Sequence, residues 1–165
     1  MEDYNYKIEI LSDLTNAQKV IKFLIEVFSK DAILTPGEVT QIHRETLLSL
    51  HSRDIKFWYI KNEADDVIAA IGIKETEHKT NGYCITFIAV ENEYRNFGFG
   101  KKLIEIVTDH VKNKRGRFLI VDTSSKPQFA KMRAFIVKNG FEHVGTFPEY
   151  YYEGEDTIWY YKKLT

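Results

Sequence analysis

The chain has 165 residues, enough for a single domain (residues 1–165) with a substantial core and short of two ordinary ones. Hydrophobic residues make up 44%, which excludes a disordered chain; 23 Lys and Arg against 24 Asp and Glu leave a net charge of -1, which argues against nucleic-acid binding driven by bulk charge. A lone Cys84 excludes an internal disulfide and a cysteine-based zinc site, while the acidic start MEDYNYKIEI and the lack of any membrane-length apolar run predict a soluble cytoplasmic protein.

Residues Tyr6–Leu11 alternate, with Tyr6, Ile8 and Ile10 on one side, and predict a first strand. Thr15 followed by Gln18 is a capping-box pattern, and Ala17, Val20, Ile21, Leu24 and Phe28 keep helical spacing behind it. Thr35-Pro36-Gly37-Glu38 offers a second helix start, continued by Val39, Ile42, Thr46, Leu47 and Leu50. Three strands follow: Ile55–Ile60, then Val67–Glu75 past the charged turn Asn62–Asp66, then a third that begins after His78–Gly82. Their short polar connections predict antiparallel hairpins.

The third strand carries Ile85, Phe87, Ile88, Ala89 and Val90, rich in β-branched and aromatic side chains. Beyond it Phe99, Leu103, Ile104, Val107 and Val111 form one apolar helical stripe. Arg115-Gly116 turns into a strand at Phe118–Asp122, and strand–helix–strand predicts a right-handed parallel crossover. Gln128–Lys138 is a last helix stopped by Asn139-Gly140. Strands Phe141–Phe147 and Thr157–Leu164 pair around a loop, Pro148–Asp156. The order β-α-α-β-β-β-α-β-α-β-β describes a mixed α+β domain.

The stretch joining the third strand to its helix, Arg95-Asn96-Phe97-Gly98-Phe99-Gly100-Lys101, is the most informative in the chain. The first amides of a helix have no intrahelical partner, and the helix dipole is positive there. Glycines let the backbone approach a bulky anion, so the stretch suits a diphosphate. It is neither of two familiar nucleotide loops. A dinucleotide fingerprint needs a third Gly or Ala where Leu103 stands, and a P-loop needs Gly at Arg95 and Ser or Thr at Lys102.

The segment IAVENEYRNFGFGKKL resembles the acyl-CoA-binding motif of the GNAT superfamily of N-acetyltransferases, with R-x-x-G-x-G at Arg95, Gly98 and Gly100. The resemblance covers nearly the whole chain. It implies the GNAT fold: a central mixed, mostly antiparallel sheet of about seven strands, splayed at the acyl-CoA site and flanked by four helices. It also implies acetyl-CoA as co-substrate, with no metal, held by Ile88, Ala89, Val90, Arg95, Asn96, Phe97, Gly98, Phe99, Gly100 and Lys101. An N–H at Val90 or a neighbour would polarise the thioester carbonyl. KMRAFIVKNGFEHVG resembles the family's second block, but Ile136 stands where a tyrosine usually protonates the departing thiolate. EYYYEGEDTIWYYKKL resembles the closing segment, whose tyrosines border the acceptor groove; Tyr151 or Tyr152 could supply the absent acid.

Acetyl transfer also needs a base for the acceptor amine. Glu91, after the motif strand, and Asp122, at the end of the next, are the candidate carboxylates, each also readable as a turn or cap residue. The five histidines have no metal-ligand spacing, and Cys84 lies too early in its strand to act as a nucleophile. Glu149, Glu153, Glu155 and Asp156 would favour a cationic acceptor if they face the site, or else solvate their loop. The function expected is acetyl transfer to a primary amine, on a small molecule or peptide, directly within a ternary complex. The alternative is a non-catalytic acyl-CoA sensor or scaffold. Monomer and homodimer are both compatible with the sequence, with no nucleic-acid or membrane partner.

Overall fold

Seven strands and four helices follow one another in the predicted order along residues 6–165, which the computed structural model describes. The strands are β1 (Ile8–Ile10), β2 (Ile55–Lys61), β3 (Val67–Glu75), β4 (Gly82–Val90), β5 (Phe118–Ser124), β6 (Glu142–Tyr152) and β7 (Glu155–Lys163). They form one sheet in the order β1-β2-β3-β4-β5-β7-β6. The helices are α1 (Leu14–Asp31), α2 (Pro36–Leu48), α3 (Phe99–Asn113) and α4 (Ala130–Lys138). By contact the chain divides into two units, Met1–Lys74 with Thr86–Glu105 and Glu75–Ile85 with Ile106–Thr165; β4 and α3 run through both.

In the first unit, Asp13 rather than Thr15 caps α1: its Oδ1 accepts the Asn16 N–H at 2.9 Å. The Leu11 amide is still bonded to the Phe57 carbonyl at 2.8 Å, and α1 opens at Leu14, ahead of the capping-box pattern. A carboxylate there also suits the positive end of the helix. At α2 the predicted cap holds, with Thr35 Oγ1 accepting the Glu38 N–H and Pro36 at the first helical position. Ala17, Val20, Leu24 and Val27 of α1 belong to one buried cluster with Ile42 of α2 and Phe57, Ala70 and Phe87 of the sheet. Each large side chain there contributes roughly 1.5–3 kcal/mol by leaving water. Gly72 belongs to the same packing: a Cβ at that position would lie 2.4 Å from the fully buried Phe57 ring.

In the second unit β4 pairs with β5 in parallel only over Gly82–Cys84 with Phe118–Ile120. β5 pairs antiparallel with β7 over its whole length, from Phe118 opposite Lys163 to Ser124 opposite Thr157. Asp122 therefore sits inside a strand two residues longer than predicted, opposite Trp159. The predicted loop Pro148–Asp156 is largely strand. β6 runs on to Tyr152 and β7 resumes at Glu155, which leaves only Glu153-Gly154 as the turn. A register shift between Phe147 and Tyr152 absorbs the extra residues, with Glu149 at φ +51 and its amide donating to Asp156 Oδ1 at 2.8 Å. α4 ends as expected at Asn139 and Gly140, the latter at φ +89, where a side chain would be strained.

Candidate active site

The glycine turn lies in the first unit. Glu91 follows β4 and opens a 3-10 turn, Asn92–Tyr94, which Arg95 closes with its amide on the Asn92 carbonyl. Asn96 and Gly98 both have positive φ, +72 and +81, and reverse the chain into α3. The first α-helical bond runs from Lys102 N–H to the Gly98 carbonyl at 3.1 Å. The amides of Phe99, Gly100 and Lys101 precede it, and such amides have no intrahelical acceptor. A Cβ on Gly98 would meet nothing within 4 Å, so the backbone is open there. This fits a diphosphate: free amides, the positive helix end and an unobstructed approach coincide.

Side chains anchor the turn. Phe99 is buried, stacked with Phe97 at 6.0 Å and set edge-on to Tyr6 at 5.0 Å, which fixes where α3 begins. Phe97 itself is exposed. Arg95 donates from Nε to the Val90 carbonyl at 3.2 Å, and its Nη2 lies 3.7 Å from Asp31 Oδ2 at the end of α1. Ile88 and Ala89 are buried in β4. Glu91 is held by Lys30, whose Nζ lies 2.7 Å from Oε1, and the same oxygen caps the Asn92 amide at 2.9 Å. The Lys30 ammonium, followed by the Asn92 amide, holds the Glu91 carboxyl below its ordinary value despite some burial. A carboxylate so stabilised is a poor proton acceptor. No sequence signal marked Lys30 or Asp31, since neither belongs to a motif.

The second unit gathers a different set. The Tyr151 hydroxyl donates to Asp122 Oδ2 at 2.5 Å, and Thr157 Oγ1 donates to the same oxygen at 3.0 Å. The two hydroxyls lie 3.2 Å apart. Thr157 is fully buried. Three strands supply the three groups: Asp122 from β5, Tyr151 from β6 and Thr157 from β7. Tyr152, by contrast, is exposed on β6 opposite Glu155 and has no part in this cluster. Ile136, where the family pattern has tyrosine, is 2% exposed and packs inward from α4.

The acidic groups around the β6–β7 turn are mostly committed to structure. Glu155 accepts from Ser124 Oγ at 2.6 Å, Asp156 from the Glu149 amide, and Glu149 from the Gly154 amide at 3.1 Å. They stitch the β6–β7 turn to itself and to the end of β5. Among the described residues no helix is long and apolar enough to cross a membrane, and no group of three or more His, Cys, Asp or Glu could hold a metal ion.

A strand, a glycine turn and a helix at the middle of such a sheet fit an anionic ligand, and fold alone does not name it. Residues 21–141 match the family model of the acetyltransferase (GNAT) family, and the chain belongs to that family. It is thus an acetyl-CoA-dependent N-acetyltransferase by type. Its fold is shared with a GNAT-family chain from Desulfovibrio desulfuricans, 22% identical with a TM-score of 0.83, over 97% of this chain and 99% of that one. A GNAT acetyltransferase from Staphylococcus aureus Mu50 is 20% identical, with a TM-score of 0.78 over 96% and 100% of the two chains. An aminoglycoside 6'-N-acetyltransferase complexed with coenzyme A is 13% identical, with a TM-score of 0.76 over 96% and 97%. The sequence matches none of the curated proteins.

Proposed function

We propose that residues 1–165 act as one catalytic domain that moves the acetyl group of acetyl-CoA directly to a primary amine, on a small molecule or a peptide. The observation that supports this reading is the 2.5 Å hydrogen bond from the Tyr151 phenol to the Asp122 carboxylate. Phe97, Gly98, Phe99, Gly100 and Lys101 take the diphosphate on their amides, with Arg95 and Asn96 beside it. Ile88, Ala89 and Val90 take the acyl end, and the Val90 N–H polarises the thioester carbonyl.

Asp122 is the base in this reading and Glu91 is not, because Glu91 is already neutralised by Lys30 and spent on a cap. Both hydroxyl donors converge on Asp122 Oδ2, which leaves Oδ1 for the amine proton. Tyr151 replaces the acid that Ile136 cannot supply. The leaving group is a thiolate of a class with a pKa of roughly 8.5, so proton donation assists its departure without being the whole barrier.

The test is release of coenzyme A thiol from acetyl-CoA with pools of peptides, polyamines and aminoglycosides. One stimulating pool names the acceptor class, and loss of that stimulation in Asp122→Asn and Tyr151→Phe assigns the pair. Tight acetyl-CoA binding with no stimulation by any acceptor would instead favour the sensor reading.

A further inference from the structure

We propose that Thr157 is a positioning residue that makes Asp122 and Tyr151 a single proton-transfer unit. The inference rests on the assignment of that pair as base and acid.

The three oxygens form a closed triangle with sides of 2.5, 3.0 and 3.2 Å. Two hydroxyl protons are shared among three contacts. With both directed at Asp122 Oδ2, the 3.2 Å Tyr151–Thr157 contact holds no proton. Thr157 is fully buried, so its hydroxyl has no bulk water to turn to, and a buried hydroxyl without a partner is costly. Its place is set by β7 lying between β5 and β6 in the sheet, where one side chain reaches both neighbours.

In the reaction the neutral amine nitrogen attacks the thioester carbon, forming C–N as C–S breaks. The amine proton goes to Asp122 Oδ1, and the phenolic proton of Tyr151 goes to the sulfur. A phenolate then stands beside a neutral carboxyl group. Thr157 turns its O–H from Oδ2 to the phenolate oxygen, already 3.2 Å away, with no heavy atom displaced. The neutral carboxyl group turns its protonated oxygen to Tyr151 and returns the proton, which restores both groups, so the amine's proton has in effect replaced the one given to the thiolate. Hydrogen bonds aimed at charge that appears only during reaction favour the transition state.

The experiment compares Thr157→Val, which keeps the shape and removes the hydroxyl, with Thr157→Ser, each in the wild-type and Tyr151→Phe backgrounds. Steady-state kcat and KM are read alongside thermal midpoints. The valine variant is expected to lose about tenfold in kcat with KM for acetyl-CoA unchanged, and the serine variant to stay within about twofold of wild type. In the Tyr151→Phe background the valine change is expected to cost nothing further. A valine variant with wild-type kcat overturns the proposal, as does an equal loss in both backgrounds, which is what a purely structural role would give. If valine prevents folding, Thr157→Ala takes its place in the same comparison. Full turnover in Asp122→Asn and Tyr151→Phe would remove the pair itself, and this inference with it, and is told apart because it needs no change at Thr157.

Discussion

The glycine turn and the Asp122 cluster solve two problems in opposite ways. The turn is contiguous: seven residues, Arg95–Lys101, present backbone groups, and the binding proposed for it would come from helix geometry. The cluster is assembled from residues 29 and 35 positions apart on three strands, and its power comes from side chains alone. A backbone site tolerates most side-chain changes and fails when the chain path changes. A side-chain site fails with a single atom. The two are therefore separable by substitution.

The largest effect is expected in the cluster. Tyr151→Phe and Asp122→Asn should each lower kcat by about a hundredfold or more, the usual worth of general acid–base catalysis, with acetyl-CoA affinity unchanged by calorimetry. A fall in affinity instead would erase the division of labour. Gly98→Glu should do the reverse, abolishing acetyl-CoA binding because a bulky anion meets an anion at the helix start. Gly98→Ala sharpens this point, since a methyl group has space there and carries only the backbone strain of φ +81, about 1–2 kcal/mol.

Gly72→Ala addresses the scaffold rather than either site. Its Cβ would collide with Phe57 in the core of the first unit, and a loss of about 1–3 kcal/mol in denaturant unfolding is expected. The smallest effect concerns Glu91. Glu91→Gln should leave turnover within about twofold and cost about 0.2–1 kcal/mol of stability at neutral pH. The Glu91 carboxyl is held below its ordinary value, so its contribution is present at neutral pH and is lost as pH falls through the folded-state titration. The stability difference between wild type and variant should therefore vanish in acid. A large loss of kcat in Glu91→Gln would shift the base from Asp122 to Glu91.

Local sequence determined a good deal here. The periodicities of α1 and α3, the Thr35-Pro36 start of α2, the limits of β3 and the Asn139-Gly140 stop all follow from interactions within a few residues, and each appears where the residues predict it. The glycine turn is legible for the same reason, because a helix N-terminus and two positive-φ positions are properties of adjacent residues.

Tertiary structure decided the rest. It put the α1 cap at Asp13, two residues after the Leu11–Phe57 bond that ends the chain's pairing with the sheet. It drew the three tyrosines out of a predicted loop and onto β6, because a register shift against β7 could absorb the extra residues. It also separated Tyr151 from Tyr152, adjacent in sequence and equal as candidates, by giving only Tyr151 a carboxylate to meet. Thr157 carried no signal at all. Its role arises because β7 enters the sheet between β5 and β6, and such long-range pairing is written in no single stretch of the chain.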